Sequence, residues 1–433
     1  MYLKDSLVTV VKKLHRWFFG QEISLEMKKF LKNLSWITSG SITMVAIMFI
    51  TTLLAGRILG PAEYGKYALI VSMGQIFVLP MIMGLNTSLI KYSASSNNPS
   101  REISSSFFLV IIFTLVSASV IYLFRNYIGE LFKTSANLVT FGVIYSAILS
   151  FNYFMEASLK GLQKFRLISL LNVSNALTVM LVFFVYITIT KDYSFRSYII
   201  AISIGLLTYG IVAISKNIPK LKNYQPQVAK KLVRYGLYAV LGGVAGFAFS
   251  NVDRLILNSY LGFSSVGIYA VYASAGSFLP SQVQQMFNHV FFPSISSMDD
   301  RNKPEVFNKL VKVFKIGFIP FVIANFLLVI LIVFLYGKDY QLNYYFAFLF
   351  AFANTVFASQ SVFSWLIASY GEKALRANVF ISLLSGLINV ALVILLTKRF
   401  GLIGAVIAFL VSSSLLVFLF TRYLRVYCFS KKR

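Results

Sequence analysis

Residues 59–74, LGPAEYGKYALIVSMG, return as LGFSSVGIYAVYASAG at 261–276, an offset of 202. Leu59-Gly60, Gly65, Tyr67-Ala68, Ser72 and Gly74 match Leu261-Gly262, Gly267, Tyr269-Ala270, Ser274 and Gly276. The glycines give the match a physical reason. Gly60 and Gly262 end one apolar helix, where a residue free to take positive φ is favoured, and Gly65 and Gly267 open the next. A second echo sets Ile168-Ser169-Leu170-Leu171 against Ile381-Ser382-Leu383-Leu384, at an offset of 213. Short matches in apolar sequence are cheap, so it weighs little without the first. Together they suggest one unit written twice.

The surrounding composition says what kind of unit. Of 433 residues 58% are apolar, 12% are charged and one is Cys, and the mean hydropathy is +0.76. A soluble domain carries about 25% charged residues. Soluble globular, disordered and disulfide-stapled secreted classes are thereby excluded. An integral membrane protein remains. Apolar runs fall at 36–56, 67–86, 107–124, 138–155, 167–189, 198–214, 236–258, 266–290, 313–336, 345–366, 377–397 and 401–420. They read as twelve helices, because in lipid only helices and closed barrels satisfy the backbone, and runs of ~20 residues are too long for barrel strands.

The net charge of +26 tests that count. With a cytoplasmic N-terminus, the inside segments hold 30 of the 40 Lys+Arg and the outside loops hold 9, leaving Arg254 within a span. That is the positive-inside bias, and an odd number of spans would break it. The same bias accounts for the basic excess without nucleic acid, for which no motif interrupts the apolar runs. Residues 1–35 lack the continuous apolar core and small-residue cleavage site of a signal peptide. Spans 1–2 correspond to 7–8, and span 5 to 11. Six helices separate each pair, so the halves share an orientation, as in a parallel repeat about the membrane normal. The expected fold is therefore an all-α integral membrane protein: two parallel-repeat six-helix bundles, 36–214 and 236–421, around a central cavity, with both termini cytoplasmic. A cytoplasmic arm (1–35), a basic linker (215–235) and a basic tail (422–433) complete it. Residues 2–19 place Leu3, Leu7, Val10, Leu14 and Trp17 at helical spacing. An interfacial helix and a solvated arm both fit that pattern.

Gly/Pro-interrupted spans at matching places in two halves point to a transport site. Span 2 carries Gly74, Gln75, Pro80, Gly84 and Asn86; span 8 carries Gly276, Pro280, Gln282, Gln285, Asn288 and His289. Ser281, Gln285 and Asn288 form one polar stripe, facing either a wet cavity or interhelical hydrogen-bond partners. Asp253 and Arg254 lie within span 7, with Arg254 ~10 Å below the outer surface and on one face with Asn251 and Asn258. An ionisable residue at that depth is a functional candidate, against a packing ion pair as the plainer reading. Arg57 and Lys91, at span ends, are either snorkelling anchors or ligand contacts. Arg254, Arg57 and Lys91 against Asp253 and Glu156 make the expected lumen cationic, which suits an anionic cargo.

Other chemistries find no footing. Residues 60–67, GPAEYGKY, copy a P-loop except for Tyr67, but follow a membrane span rather than a strand, and the repeat copy lacks the Lys. His15 and His289 stand alone and Cys428 has no partner, so no metal site is expected. No catalytic constellation can be drawn, the longest outside loop has about thirteen residues, and the expected protein is not an enzyme and needs no cofactor.

Residues 53–94 (LLAGRILGPAEYGKYALIVSMGQIFVLPMIMGLNTSLIKYSA), 156–177 (EASLKGLQKFRLISLLNVSNAL) and 251–273 (NVDRLILNSYLGFSSVGIYAVYA) resemble the Wzx-type polysaccharide flippases. These belong to the multidrug/oligosaccharidyl-lipid/polysaccharide (MOP) exporter superfamily. The resemblance implies twelve helices, alternating access and a cargo of oligosaccharide linked by pyrophosphate to undecaprenol. The cargo would cross from the cytoplasmic to the outer leaflet of a bacterial inner membrane, toward O-antigen, capsule or exopolysaccharide. A polysaccharide polymerase and a chain-length regulator are the protein partners it implies. Asp253 and Arg254 match the family's Asp-Arg pair in span 7. Arg254, Arg57, Lys91, Gln282, Gln285 and Asn288 are then the cargo contacts, and Asp253 and Glu156 the carriers for proton or Na⁺ coupling. Three rivals remain. A drug or cation exporter of the same superfamily would need a more acidic lumen. A membrane polymerase or ligase would be expected to carry a larger outside loop. A peptidoglycan-precursor flippase is separated only weakly.

Overall fold

A computed structural model describes residues 25–217, 224–296 and 298–429. All regular elements among them are helical: α1 (Leu25–Ile82), α2 (Leu85–Ala94), α3 (Pro99–Leu123), α4 (Arg125–Leu131), α5 (Ala136–Gly161), α6 (Phe165–Thr190), α7 (Phe195–Asn217), α8 (Pro226–Ser250), α9 (Val252–Ser296), α10 (Lys303–Tyr336), α11 (Tyr344–Ala368) and α12 (Glu372–Tyr423). A short 3₁₀ turn follows α10 at Lys338–Tyr340, and a π turn follows α12 at Leu424–Phe429. Large apolar side chains that a soluble protein would bury stay exposed on the outside of the bundle, among them Leu115, Ile189, Ile316 and Phe334. Lipid is their solvent.

Nine stretches among the described residues are long and apolar enough to cross a bilayer. Three are too long for one crossing: Gly40–Ile82, Pro226–Gln285 and Glu372–Phe429, with 43, 60 and 58 residues, where about 20 suffice. Each contains a glycine of positive φ, at Gly60 (71°), Gly262 (78°) and Gly401 (58°). A single residue turns the chain at these places with no loop between the limbs, so adjacent apolar runs of the sequence join into one element. Gly60 and Gly262 agree in ψ as well, at 171° and 177°. The duplicated motif is thus duplicated in conformation.

The two copies also meet. Among the described residues, α1 and α9 form the most extensive packing. A Cβ on Gly65 would strike the carbonyl of Phe263, and a Cβ on Gly267 would strike the carbonyl of Pro61. The contact is reciprocal, as expected on a pseudo-twofold axis between the repeats. Gly60, Gly262 and Gly401 gather at one end of the bundle, since Gly401 approaches Leu261 and Gly337 approaches Arg57. The α4–α5 and α6–α7 turns join that end through hydrogen bonds from Asn258 to the Phe132 carbonyl and from Phe195 N–H to Glu63.

Several sequence boundaries shift. Span 7, expected as one helix over 236–258, starts at Pro226 and breaks at Asn251 (φ −139°, ψ −23°). The linker expected at 215–235 therefore shrinks, with α7 running to Asn217 and α8 resuming at Pro226. Helix also continues from Leu25 into the first span, within the expected arm, and to Tyr423 in the expected tail. The 2–19 segment lies outside the described residues. Proline explains one new start: Pro226 sits in the first turn of α8, where its missing N–H has no intrahelical partner to lose.

Gly65→Ala is expected to lower the melting temperature of the purified protein, because overpacking a tight contact costs about 1–3 kcal/mol. Gly242→Ala, in the interior of α8 with open space around its Cβ position, is expected to leave the melting temperature unchanged or raise it. Thermal unfolding followed by size-exclusion chromatography checks both.

Candidate functional site

A cavity of about 430 Å³ opens between the two halves of the chain, bounded by the second limb of α1, α2, α5 and α8. Gln75, Asn86, Thr87, Tyr153, Ser250 and Asn251 bring amides and hydroxyls to its wall, and Gly243 and Gly246 leave it room. The Tyr153 hydroxyl donates to Gln75 Oε1 at 3.3 Å. The break at Asn251 ends α8 there and sets this amide on the wall. No Lys, Arg, Asp or Glu lines the cavity. Where the expected lumen was cationic, the polar groups of this cavity are uncharged and stand among Val78, Leu79, Ile82, Val240 and Phe247.

Charge sits at its ends instead. Two residues beyond Asn251, the buried Asp253 carboxylate accepts the Arg254 backbone N–H at 2.8 Å and the Tyr269 hydroxyl at 2.6 Å. It occupies the first turn of α9, where the helix dipole favours an anion. Arg254 is half-buried and reaches across to the other repeat, its Nη1 3.5 Å from Ser72 Oγ. Ser72 gives its own proton to the Ala68 carbonyl, leaving its oxygen to accept. Arg254 Nε is buried with no hydrogen-bond partner. The guanidinium thus points into the seam between the halves.

Around it stands a group of tyrosines that sequence patterning did not single out. Tyr64 lies 5.4 Å from Tyr67 and 6.1 Å from Tyr336, and Tyr67 lies 4.6 Å from Tyr198, between ring centroids. Tyr340 donates to the Gly56 carbonyl at 2.7 Å, and Tyr198 shares a 2.7 Å hydrogen bond with Thr52. These rings come from three separate parts of the chain and close the Gly60 end of the seam. Only Tyr67, in the repeat motif, carried any signal beforehand.

The other expected contacts are scattered. Lys91 is exposed at the opposite end, its Nζ 4.0 Å from the Tyr235 ring of α8, while Lys231 of α8 lies 4.1 Å from the Tyr92 ring of α2. These reciprocal cation–π contacts bridge the halves beside the tight Gly84–Gly236 crossing. Arg57 is exposed at the Gly60 end beside Gly337. Glu156 pairs with Lys160 on its own helix at 2.7 Å. Asn258, one turn after Arg254 on α9, has a different partner: its amide donates to the Phe132 and Lys133 carbonyls at 2.8 and 3.2 Å. On span 8, Gln282 is half-buried and donates to the neighbouring Ser281, and Gln285 is exposed. The Asn288 side chain lies outside the described residues. No group of three or more His, Cys, Asp or Glu side chains able to hold a metal occurs among the described residues.

Residues 30–299 match the family described as polysaccharide biosynthesis protein. The chain belongs to that family. All three stretches resembling Wzx-type flippases of the MOP superfamily fall inside the match, and that recognition stands. Among curated relatives, the probable low-salt glycan biosynthesis flippase Agl15 of Haloferax volcanii is 21% identical, covering 87% of this chain and 80% of its own. A membrane protein of the cps region of Klebsiella pneumoniae, itself uncharacterized, is 22% identical over 64% of this chain and 57% of its own. Two solved states of a multidrug resistance MATE family transporter of the MOP superfamily share the fold at 15% identity. The inward-facing state aligns with a TM-score of 0.65, over 89% of this chain and 98% of that one. The outward-facing state aligns at 0.60, over 92% and 95%. The family member described here is a multi-pass membrane protein with a transporter fold.

Tyr269→Phe removes the hydroxyl that holds the buried Asp253 carboxylate. Hydrogen bonds to charged groups contribute about 1.5–3 kcal/mol, so a loss of thermal stability of that order is expected. In Asp253→Asn the same Tyr269→Phe change should cost distinctly less, and a double-mutant cycle of melting temperatures measures the difference.

Proposed function

We propose that the protein is a flippase that carries lipid-linked oligosaccharide from the cytoplasmic to the outer leaflet of a bacterial inner membrane by alternating access. The cargo would be held by pyrophosphate on undecaprenol and would feed polysaccharide assembly. In this reading the chain crosses twelve times with both termini cytoplasmic, the Gly60 end faces outside, and the halves are 36–214 and 236–421. One observation carries it: a cavity between the repeats sets uncharged amides and hydroxyls among apolar side chains, and no charged side chain lines it. Such a wall pairs with sugar hydroxyls. A cationic drug would want a carboxylate there, and the cavity has none.

The energetics favour the outward direction. A diphosphate left unshielded in hydrocarbon is prohibitively costly. An interior-negative potential of ~100 mV favours outward movement of each negative charge by roughly 2.3 kcal/mol. Arg254 is the cation placed to meet the phosphate at the seam, and Lys91 and Arg57 stand at the two mouths. Coupling to protons or Na⁺ would fall to Asp253, whose carboxylate is buried, rather than to Glu156, which Lys160 already neutralises. The packed tyrosines at the Gly60 end support a state closed to the outside.

Arg254→Ala is expected to reduce surface polysaccharide about tenfold or more, as loss of a charge-assisted contact would, and to accumulate lipid-linked repeat units with protein levels unchanged. Normal export would confine Arg254 to a structural role. In a Cys428→Ser background, Ser250→Cys and Thr87→Cys should react with a membrane-impermeant maleimide added from the cytoplasmic side. Gly317→Cys, in an apolar stretch of α10, should not. Equal protection of all three would argue for a dry interior.

A further inference from the structure

A second cavity, of about 700 Å³, lies at the Gly60 end and has no part in the seam described above. Its wall includes Lys66, Lys133 and Arg196, with Glu130 the one carboxylate on it. The first turn of α5, capped by Ser135, opens onto it. α5 is 26 residues long, and its N-terminus offers the positive end of a helix dipole. The Thr134 hydroxyl on the same wall is buried with no hydrogen-bond partner.

Two further features separate this place from ordinary surface. Lys133 takes φ 47°, a conformation that L side chains rarely adopt. It follows the last turn of α4, where its N–H donates to the Glu130 carbonyl, and the buried Asn258 of the other half ties the carbonyls of residues 132 and 133. The charges also break the repeat. At the offset of 202, Lys66 corresponds to Ile268 and Glu63 to Ser265. The duplicated scaffold does not need them.

Glu63 shows what the place binds. Its carboxylate takes Lys66 Nζ at 2.6 Å and the Phe195 N–H, at the start of α7, at 2.9 Å. An internal anion already sits on a cation and a helix N-terminus at the cavity's edge. Lys133 makes no ion pair among the described residues. Asp192 lies within electrostatic reach of Arg196 but accepts the Ser194 N–H at 3.0 Å.

We propose that this cavity is an anion site on the exit face, and that it takes the diphosphate of the lipid-linked cargo after crossing. This rests on the transport reading. The neutral cavity between the halves cannot compensate a diphosphate, so cations at the receiving end lower the cost of leaving it. The volume lies in the usual range of ligand cavities, about 300–1,000 Å³.

Inorganic pyrophosphate titrated into the purified full-length protein by calorimetry tests the site. Wild type is expected to bind, more weakly as salt rises. Lys133→Gln and Arg196→Gln, both at exposed positions, should each weaken binding about tenfold. Lys338→Gln, at the same end but off the cavity, should leave it unchanged. Absence of binding, or equal binding by the Lys133→Gln/Arg196→Gln double variant, overturns the proposal. In nanodiscs, a polyprenyl diphosphate should displace pyrophosphate and phosphatidylglycerol should not. Equal displacement by phosphatidylglycerol would make this a general lipid-headgroup site and overturn the assignment to cargo. These titrations use no gradient and no transport, so they can fail while Arg254→Ala still blocks export, and can hold where it does not.

Discussion

Two backbones that touch without side chains between them organise this molecule. At Gly65 and Gly267 each repeat presents a bare Cα to a carbonyl of the other, and neither tolerates a Cβ. In lipid, where no hydrophobic force draws apolar helices together, such close approach is a main source of association. It brings α1 against α9 at the Gly60 end and so fixes where the two repeats meet. The seam with Arg254 and the tyrosines lies beside this contact, and the neutral cavity lies further along the same interface.

Placing charge at the ends of a neutral cavity follows from the solvent. A guanidinium or ammonium in the middle of the bilayer is costly without a permanent partner. Arg254 meets this by standing near one end, against a serine and tyrosines. Lys91 and Lys231 meet it by lying on each other's neighbouring rings at the other. Asp253, the buried acid of the seam, has both oxygens engaged. Neutral amides and hydroxyls carry no such penalty, so Gln75, Asn86, Tyr153 and Asn251 can wait in the interior.

Span 7 shows how local sequence and global packing divide the work. As one apolar run it reads as a single helix, with Asn251, Arg254 and Asn258 on one face. The break takes Asn251 off the helix that carries the other two, and packing gives each its own partner: Asn251 lines the cavity, Arg254 enters the seam, and Asn258 binds the turn at 132–133. Nothing in the residues around Asn251 announces the break. It follows from α8 and α9 packing against different neighbours.

The amino-acid sequence alone determined the helical class, the membrane setting and the duplication, because hydropathy, charge bias and helix-ending glycines act over a few residues. It also singled out Asp253 and Arg254, since any ionisable pair at that depth stands out. It did not tell how those charges are distributed in space. Whether Lys91, Arg57 and Glu156 share a space depends on which helix faces which, and the structure sends them to different ends or to a partner on the same helix. The convergence of Tyr64, Tyr198, Tyr336 and Tyr340 is likewise invisible in any local window. Tertiary packing decided which polar groups enclose the cavity, because a helix face becomes a wall only once another helix stands opposite it.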